Sequence, residues 1–284
     1  MSFFGWFKNL KNKNKKRAAE FKVGLALGSG GAKGYAELGA LYAFEQNGIE
    51  FDVIAGTSIG SVIGAFYAAG YSATDCVELL KSVDVGEIKN LFMIKMDTLG
   101  LFRVIDRTIG NLDIEELKKP FRAIATELET GDEYVIKSGS VATALCASSS
   151  YPPFFKPVSA YGKRLIDGAF SNSVPADHVR EMGADFIVGI DLSSHVKSGG
   201  GVLSKIFPEF KGGADKPWEK GYDNADIMLH PDLSAYKPVS FYAANEMFDI
   251  GYACAAEKIE EIISGINAAK AAKGIKVKGY KVKR

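Results

Sequence analysis

Two short glycine-rich stretches contain the residues best suited to chemistry. "GSGGAKG" occupies residues 28–34, and "GTSIG" occupies residues 56–60. The first has the look of a nucleotide phosphate loop. The second fits Gly-x-Ser-x-Gly, in which a strained turn between a strand and a helix presents a serine nucleophile. The two stretches therefore indicate two alternative functions, phosphate binding and acyl-ester hydrolysis.

The phosphate-loop interpretation fails at specific positions. A Walker A loop needs Gly-Lys-Ser/Thr, but Lys33 precedes Gly34, and Tyr35 stands where the hydroxyl ligand belongs. A dinucleotide-binding turn needs a third glycine at the position that Lys33 occupies. What remains is a turn whose backbone amides point off the start of a helix, and such amides can hold an oxyanion.

A serine hydroxyl needs a base before it becomes a good nucleophile. Asp167 in "LIDGAF" follows a predicted strand and is the favoured candidate, although Asp-Gly is also a common turn. The histidines are His178, His195 and His230, of which His230 suits the chain order serine, acid, histidine of many hydrolases. Since a lone histidine beside a proline is more often structural, the base favoured for Ser58 is Asp167, with His230 left open.

The elements around these residues follow a regular order. "FKVGLAL" and "FDVIAGTS" read as buried strands, and each is followed by a stretch with apolar residues at helical spacing. This β-α-β-α order predicts a parallel sheet covered by helices. Further strands and helices are predicted in "FRAIATEL", "DEYVIKSG", "SVATALCASSS", "RLIDGAF", "VPADHVREMGADFIVGIDL", "ADIMLHPDL" and "SFYAANEMFDIGYACAAEKIEEII".

Composition bounds the class of protein. The chain has 284 residues, of which 47% are hydrophobic and 24% charged, enough for one α/β domain with a large core. No apolar run approaches the roughly 18 to 20 residues of a membrane span, and the N-terminal charges follow the apolar residues, the reverse of a secretory signal. We therefore expect a cytoplasmic protein. Cys76, Cys146 and Cys254 are far apart, which predicts reduced thiols, and no spacing of His, Cys or acids predicts a metal or cofactor site.

Charge is concentrated at the two ends of the chain. Residues 1–20 hold six Lys/Arg against one Glu, and residues 265–284 hold seven Lys/Arg and no acid, so the body at 21–264 carries −11. Such tails fit contact with an anionic membrane surface, here the inner face, and equally well simple solvation, whereas nucleic acid is not an expected partner. The sequence thus divides into a basic amphipathic tail, a central domain and a second basic tail.

Two segments have open interpretations. Apolar residues at one helical face in the first tail fit an interfacial anchor or a helix that packs on its own domain. Residues 88–105 are apolar but poorly periodic, which fits either core or a lid over an oily site.

Taken together, the motifs resemble those of the patatin-like phospholipase family, particularly its compact bacterial members. The resemblance covers most of residues 21–262 and adds "ASSSYPPFFKPV" and "PDLSAYKPVSFYAANEMFDIGYACAAEKI" to the stretches quoted above. It implies a three-layer α/β/α fold with a mainly parallel sheet. It also implies hydrolysis of phospholipid or lysophospholipid acyl esters by a Ser-Asp dyad without histidine. The alternative on the same fold is a non-catalytic, membrane-associated regulator or adaptor.

The resemblance assigns roles to particular residues. It makes Ser58 the nucleophile and Asp167 the base, and because an aspartate with its usual pKa of about 4 is a weak base, we expect Asp167 to be desolvated. Ser29 interrupts the family's glycine run, which leaves open which amides serve the oxyanion, and "DGA" replaces the commoner "DGG". The oxyanion-loop residues are Gly28, Gly30, Gly31 and Lys33, and the motif glycines are Gly56, Gly60 and Gly168.

Overall fold

The computed structural model describes residues 21–82, 106–107, 110–193, 204–210 and 212–275. The predicted amphipathic tail at 1–20 and the core-or-lid segment at 88–105 lie outside these residues.

An eight-stranded sheet forms the centre of the molecule. Its order is β5-β6-β3-β2-β1-β7-β8, with β4 paired to β3. The strands are β1 Val23–Leu27, β2 Val53–Thr57, β3 Phe121–Glu127, β4 Glu133–Ile136, β5 Val158–Ala160, β6 Lys163–Asp167, β7 Phe186–Ile190 and β8 Ile227–Leu229. Strands β3, β2, β1, β7 and β8 are parallel, whereas β4, β5 and β6 join by antiparallel pairing.

Helices cover both faces of this sheet. They are α1 Gly34–Gln46, α2 Ile59–Ala69, α3 Ala73–Ser82, α4 Val141–Ser148, α5 Ala176–Glu181, α6 Glu219–Asn224 and α7 Ala244–Ala272. Residues of β1 alternate between two buried clusters, because successive side chains of a strand point to opposite faces. Leu25 joins the cluster that contains α1 and α7, and Ala26 joins the one that contains Val179 of α5. The predicted three-layer α/β/α fold with a mainly parallel sheet is confirmed.

The last helix extends beyond the domain boundary drawn from charge. Helix α7 continues to Ala272, so residues 265–272 are helical rather than a separate tail. Ile266 is buried in the main core, and Lys273 forms an ion pair with Asp185. The charge count hid this continuation because it grouped the apolar residues at 265–272 with the lysines that follow them. No helix among the described residues is long and apolar enough to cross a membrane.

The edge of β3 brings two distant segments together. Positions 123–126 of β3 pair with β4, so β2 and β6 must both pair with the opposite edge. On that edge Thr57 lies opposite Ile124, and Asp167 lies opposite Ala125. Since β6 runs antiparallel to β3 and β2 runs parallel to it, the carboxyl ends of β2 and β6 meet head to head.

Candidate active site

Ser58 occupies the turn between β2 and α2 in a strained conformation. Its φ of 56° and ψ of −125° lie outside the regions that residues with a side chain normally adopt. Two glycines permit the turn: a methyl group on Gly56 would lie 2.3 Å from the carbonyl oxygen of Gly60, and one on Gly60 would lie 2.5 Å from that of Leu27. The tight turn presents the Ser58 hydroxyl at the carboxyl end of the sheet.

The Ser58 hydroxyl is hydrogen-bonded to Asp167. Ser58 Oγ donates a hydrogen bond of 2.6 Å to Asp167 Oδ2, and both side chains are buried. The second carboxylate oxygen, Oδ1, accepts from the backbone amide of Ala169 at 2.9 Å. Gly168 opens the short 3₁₀ helix Gly168–Phe170, which Asp167 caps in this way. The carboxylate is thus held at both oxygens.

Burial changes the acidity of Asp167. Removal of the carboxyl from water raises its pKa to about 7, while the hydrogen bonds from Ser58 and Ala169 oppose the rise. The burial expected of an effective aspartate base is therefore present. Near neutral pH the group can exist in either protonation state, which a residue that takes and returns a proton requires.

Most amides of the glycine loop already have acceptors. The amide of Gly28 donates to Glu37 Oε1 at 2.7 Å, that of Ser29 to the carbonyl of Ser173 at 2.9 Å, and that of Lys33 to Gly30 at 3.2 Å.

Within the described part of the chain, the amides of Gly30 and Gly31 have no hydrogen-bond acceptor. Gly31 has a φ of +59°, and a methyl group there would lie 2.5 Å from the carbonyl oxygen of Pro238. The two amides stand before α1 and are the donors of the loop that remain available to a ligand.

Lys33 closes the loop at the start of α1. Its side chain is buried, and burial lowers the pKa of its ammonium group, against the attraction of Asp191. The loop therefore carries a buried basic side chain beside its two available amides.

Two residues that were not predicted from the sequence hold the Ser58 turn and the glycine loop in place. Ser148 Oγ accepts a hydrogen bond from the Ser58 amide at 2.9 Å and donates to the carbonyl of Ile124 at 2.5 Å. Ser150 nearby makes only a local side-chain bond, from its hydroxyl to the carbonyl of Cys146. Glu37, fully buried on α1, fixes the first loop amide. The Ser148 contact had no sequence signal because it joins residues 90 positions apart.

The histidines lie elsewhere. Of the two in the described residues, neither hydrogen-bonds Ser58 or Asp167. His230 is largely exposed, with Nδ1 3.7 Å from Asp191 Oδ2, and His178 packs among acidic side chains. His195 lies outside the described residues. The geometry provides no histidine partner for Ser58 in this part of the chain.

Comparison with known proteins identifies the family. The sequence model of the patatin-like phospholipase family matches residues 25–180, more than half of the chain. The chain belongs to the patatin-like phospholipase family. The matched range of this patatin-like chain contains the glycine loop, Ser58 and Asp167.

Relatives share the sequence over most of this chain. Patatin-like phospholipase domain-containing protein 6 of Mus musculus is 29% identical over 274 residues, which cover 81% of this chain and 20% of the mouse protein. Lysophospholipase nte1 of Aspergillus fumigatus is 27% identical over 280 residues, with 85% and 18% covered. The chain thus spans about a fifth of the length of these relatives.

A solved structure shares the fold. The crystal structure of VipD from Legionella pneumophila superposes with a TM-score of 0.54 at 13% sequence identity, covering 86% of this chain and 67% of VipD. At this identity the likeness extends to the arrangement of the sheet and helices alone.

Replacement of Asp167 by asparagine is expected to stabilise the fold at high pH. Above pH 7 the folded protein must keep a desolvated carboxylate, whereas below about pH 4 this carboxyl is neutral both folded and unfolded. Asp167→Asn should therefore raise the free energy of unfolding by about 1 to 3 kcal/mol at pH 8.5, and the gain should shrink as pH falls from 7 toward 4. Urea denaturation followed by circular dichroism measures both.

A matched control is Asp249→Asn on the exposed face of α7. Because Asp249 lies in water, its replacement should change the free energy of unfolding by less than about 0.5 kcal/mol at either pH. A gain from Asp167→Asn that is the same at pH 5 and pH 8.5 would contradict a buried charge at Asp167.

Proposed function

We propose that this chain is a serine acyl hydrolase that cleaves acyl esters of lipids. The observation that carries the proposal is the 2.6 Å hydrogen bond from Ser58 Oγ to buried Asp167, formed beside a loop with two available amides. A nucleophile, a base and a set of oxyanion donors are the parts that acyl transfer requires. The family membership of the chain supports the same chemistry.

The first half of the reaction forms an acyl-enzyme. Asp167 accepts the hydroxyl proton as Ser58 Oγ attacks the ester carbonyl carbon. The amides of Gly30 and Gly31 then donate to the carbonyl oxygen as it becomes an alkoxide. When the tetrahedral intermediate collapses, the ester C–O bond breaks and Asp167 returns the proton to the leaving alcohol.

The second half releases the fatty acid. A water molecule gives its proton to Asp167 and attacks the acyl carbon, and the intermediate again places its negative oxygen at the loop. The bond to Ser58 Oγ breaks, and Asp167 returns the proton to this oxygen, which restores the enzyme. Loss of one oxyanion donor in such a step costs about 3 to 4 kcal/mol of barrier, so the loop matters as much as the dyad.

The names of two relatives indicate a lipid ester as the substrate. The fungal relative is named a lysophospholipase, and the mouse relative carries a phospholipase domain name. We assign a phospholipid or lysophospholipid acyl ester to this chain on that basis.

Exposed apolar side chains border the site on two sides. Tyr151 and Phe154 follow α4, and Val239 and Tyr242 precede α7, the last with 85% of its surface exposed. Both segments touch the site: the carbonyl of Ser150 accepts from the Asp167 amide. On the other side, the carbonyl of Pro238 accepts from the amide of Ala32. We assign these four side chains to contact with a lipid surface, and the basic ends of the chain add attraction to anionic headgroups.

Removal of either member of the dyad should abolish hydrolysis. Ser58→Ala and Asp167→Asn should each lower kcat/KM for p-nitrophenyl butyrate by at least about a thousandfold. A fluorophosphonate probe should label the wild type at Ser58 and leave Ser58→Ala unlabelled. The matched control is His230→Ala, which should keep activity within about twofold because this histidine does not contact the dyad.

The pattern of results separates the alternatives. Equal rates in wild type and both dyad variants would defeat the dyad, and equal rates at the uncatalysed background would favour the non-catalytic regulator. Loss of activity in His230→Ala alone would indicate a histidine-dependent esterase.

The pH dependence should report the acidity of Asp167. Because the base must be ionised and its pKa is raised to about 7, kcat/KM should rise with pH and level off above an apparent pKa of about 7. Hydrolysis of p-nitrophenyl butyrate, read at the isosbestic wavelength between pH 5 and pH 9, gives this profile.

Since a histidine titrates in the same range, the profile needs His230→Ala beside it. The variant should show the same limb at the same apparent pKa. A limb near pH 4, or one that disappears in His230→Ala, would contradict the assignment to Asp167.

The exposed apolar side chains that border the site should affect the hydrolysis of lipid substrates more than that of soluble esters. The double variant Phe154→Ser, Tyr242→Ser should hydrolyse lysophospholipid micelles or anionic vesicles at least about fivefold more slowly, since each lost apolar side chain weakens interfacial binding. The rate on a soluble short-chain ester, measured in parallel, gives the reference. A ratio of the two rates equal to that of the wild type would overturn the proposed lipid contact.

A further inference from the structure

Three potential metal ligands converge away from the Ser58–Asp167 pair. Glu133 of β4 and the neighbours Asp177 and His178 of α5 each direct one ligand atom to a common point, with these atoms within 4.8 Å of one another. No short-range pattern indicates this cluster, because Glu133 lies 45 residues from His178. We propose that this cluster, with Asn172, is a binding site for one divalent transition-metal cation, with Zn²⁺ the preferred ion.

The imidazole is oriented as in known metal sites. His178 Nδ1 lies 3.1 Å from Glu181 Oε2, and Arg122 holds the same oxygen at 2.6 Å. A metal-bound histidine almost always gives its other ring N–H to a carboxylate or carbonyl, which fixes the ring. Nε2 of His178 donates to Glu133 in this structure, and on loss of that proton it can give its lone pair to a cation at the same place.

Asn172 supplies the fourth donor. Its side chain is fully buried and aimed into the cluster, because Nδ2 donates to Asp177 Oδ1 at 2.8 Å. Its Oδ1 is buried and has no hydrogen-bond partner among the described residues. The two ends of a carboxamide have nearly the same shape. Half a turn about the Cβ–Cγ bond therefore places Oδ1 toward the carboxylates and gives it a cation to coordinate.

A lysine already marks the preferred position of positive charge. Lys220 Nζ lies 3.4 Å from Glu133 Oε2 and 4.0 Å from Asp177 Oδ2. Its side chain is half-exposed, so the ammonium group can move into water when a divalent cation arrives. The cation and Lys220 should therefore compete for the same carboxylates.

The donor set selects the class of ion. One imidazole nitrogen, two carboxylates and one amide oxygen make four ligands, which suits tetrahedral Zn²⁺. Ca²⁺ and Mg²⁺ prefer six or more oxygen ligands and gain little from imidazole. Zn²⁺ should bind more tightly than either.

The site is structural rather than catalytic. The carbonyl oxygen of Asn172 accepts from Thr57 Oγ1 at 2.8 Å, and the Asn172 amide donates to Gly168 at 2.9 Å. A bound cation would thus tie β4 and α5 to the segment that follows Asp167. Its occupancy is a property separate from hydrolysis, and its test reads binding alone.

Isothermal titration calorimetry of the untagged full chain with ZnCl₂ tests the site. We expect one equivalent bound, with affinity reduced at least about tenfold in Glu133→Gln and in His178→Gln, which each remove a ligand. Lys220→Ala should bind more tightly than the wild type because it removes the competing ammonium. Lys216→Ala, which removes an exposed lysine paired with Glu219 instead, is the matched control and should match the wild type.

Several outcomes would overturn the proposal. They are no binding by the wild type, wild-type affinity in both ligand variants with native circular dichroism, or tighter binding of Ca²⁺ than of Zn²⁺. Glu133→Gln, at a partly exposed strand position, serves as the decisive variant if His178→Gln does not fold. Binding seen only in Lys220→Ala would also count against the native site, because Lys220 would then fill it permanently.

Discussion

The hydrogen bond between Ser58 and Asp167 depends on a single strand edge. Strand β3 pairs along one edge first with β2 and then with β6, which run toward each other and stop at adjacent positions. Ser58 and Asp167 are therefore placed by backbone pairing within the sheet. Ser148 reinforces the junction because its hydroxyl joins the Ser58 amide to the β3 carbonyl of Ile124.

Burial at this junction also raises the pKa of the Asp167 carboxyl. A carboxylate in water is too weakly basic to take a proton from serine, and the same group removed from water holds a proton near neutral pH. The strain at Ser58 and the desolvation of Asp167 both cost stability. The extended core around β1 and α1 offsets these costs, as is usual for functional sites in a well-packed fold.

Much of this arrangement could be predicted from local sequence. Buried strands followed by glycine turns and helices predicted a parallel sheet covered by helices. The order of the motifs indicated the family, and that resemblance implied the three-layer α/β/α fold, because all of these depend on short-range patterns. Contacts across the fold had no such pattern. The donation of the Ser29 amide to the carbonyl of Ser173 joins residues 144 positions apart. The same reason hid the contacts of Ser148 and the grouping of Glu133 with His178.

The shared edge of β3 has a consequence for how such a protein can diversify. Because a one-residue shift of β6 would turn Asp167 to the other face of the sheet, the spacing between Ser58 and Asp167 tolerates no gradual adjustment. The segments that border the site, after α4 and before α7, are free of that constraint. Selection for new substrates can therefore act on these borders by substitution or insertion while the reacting atoms stay in register.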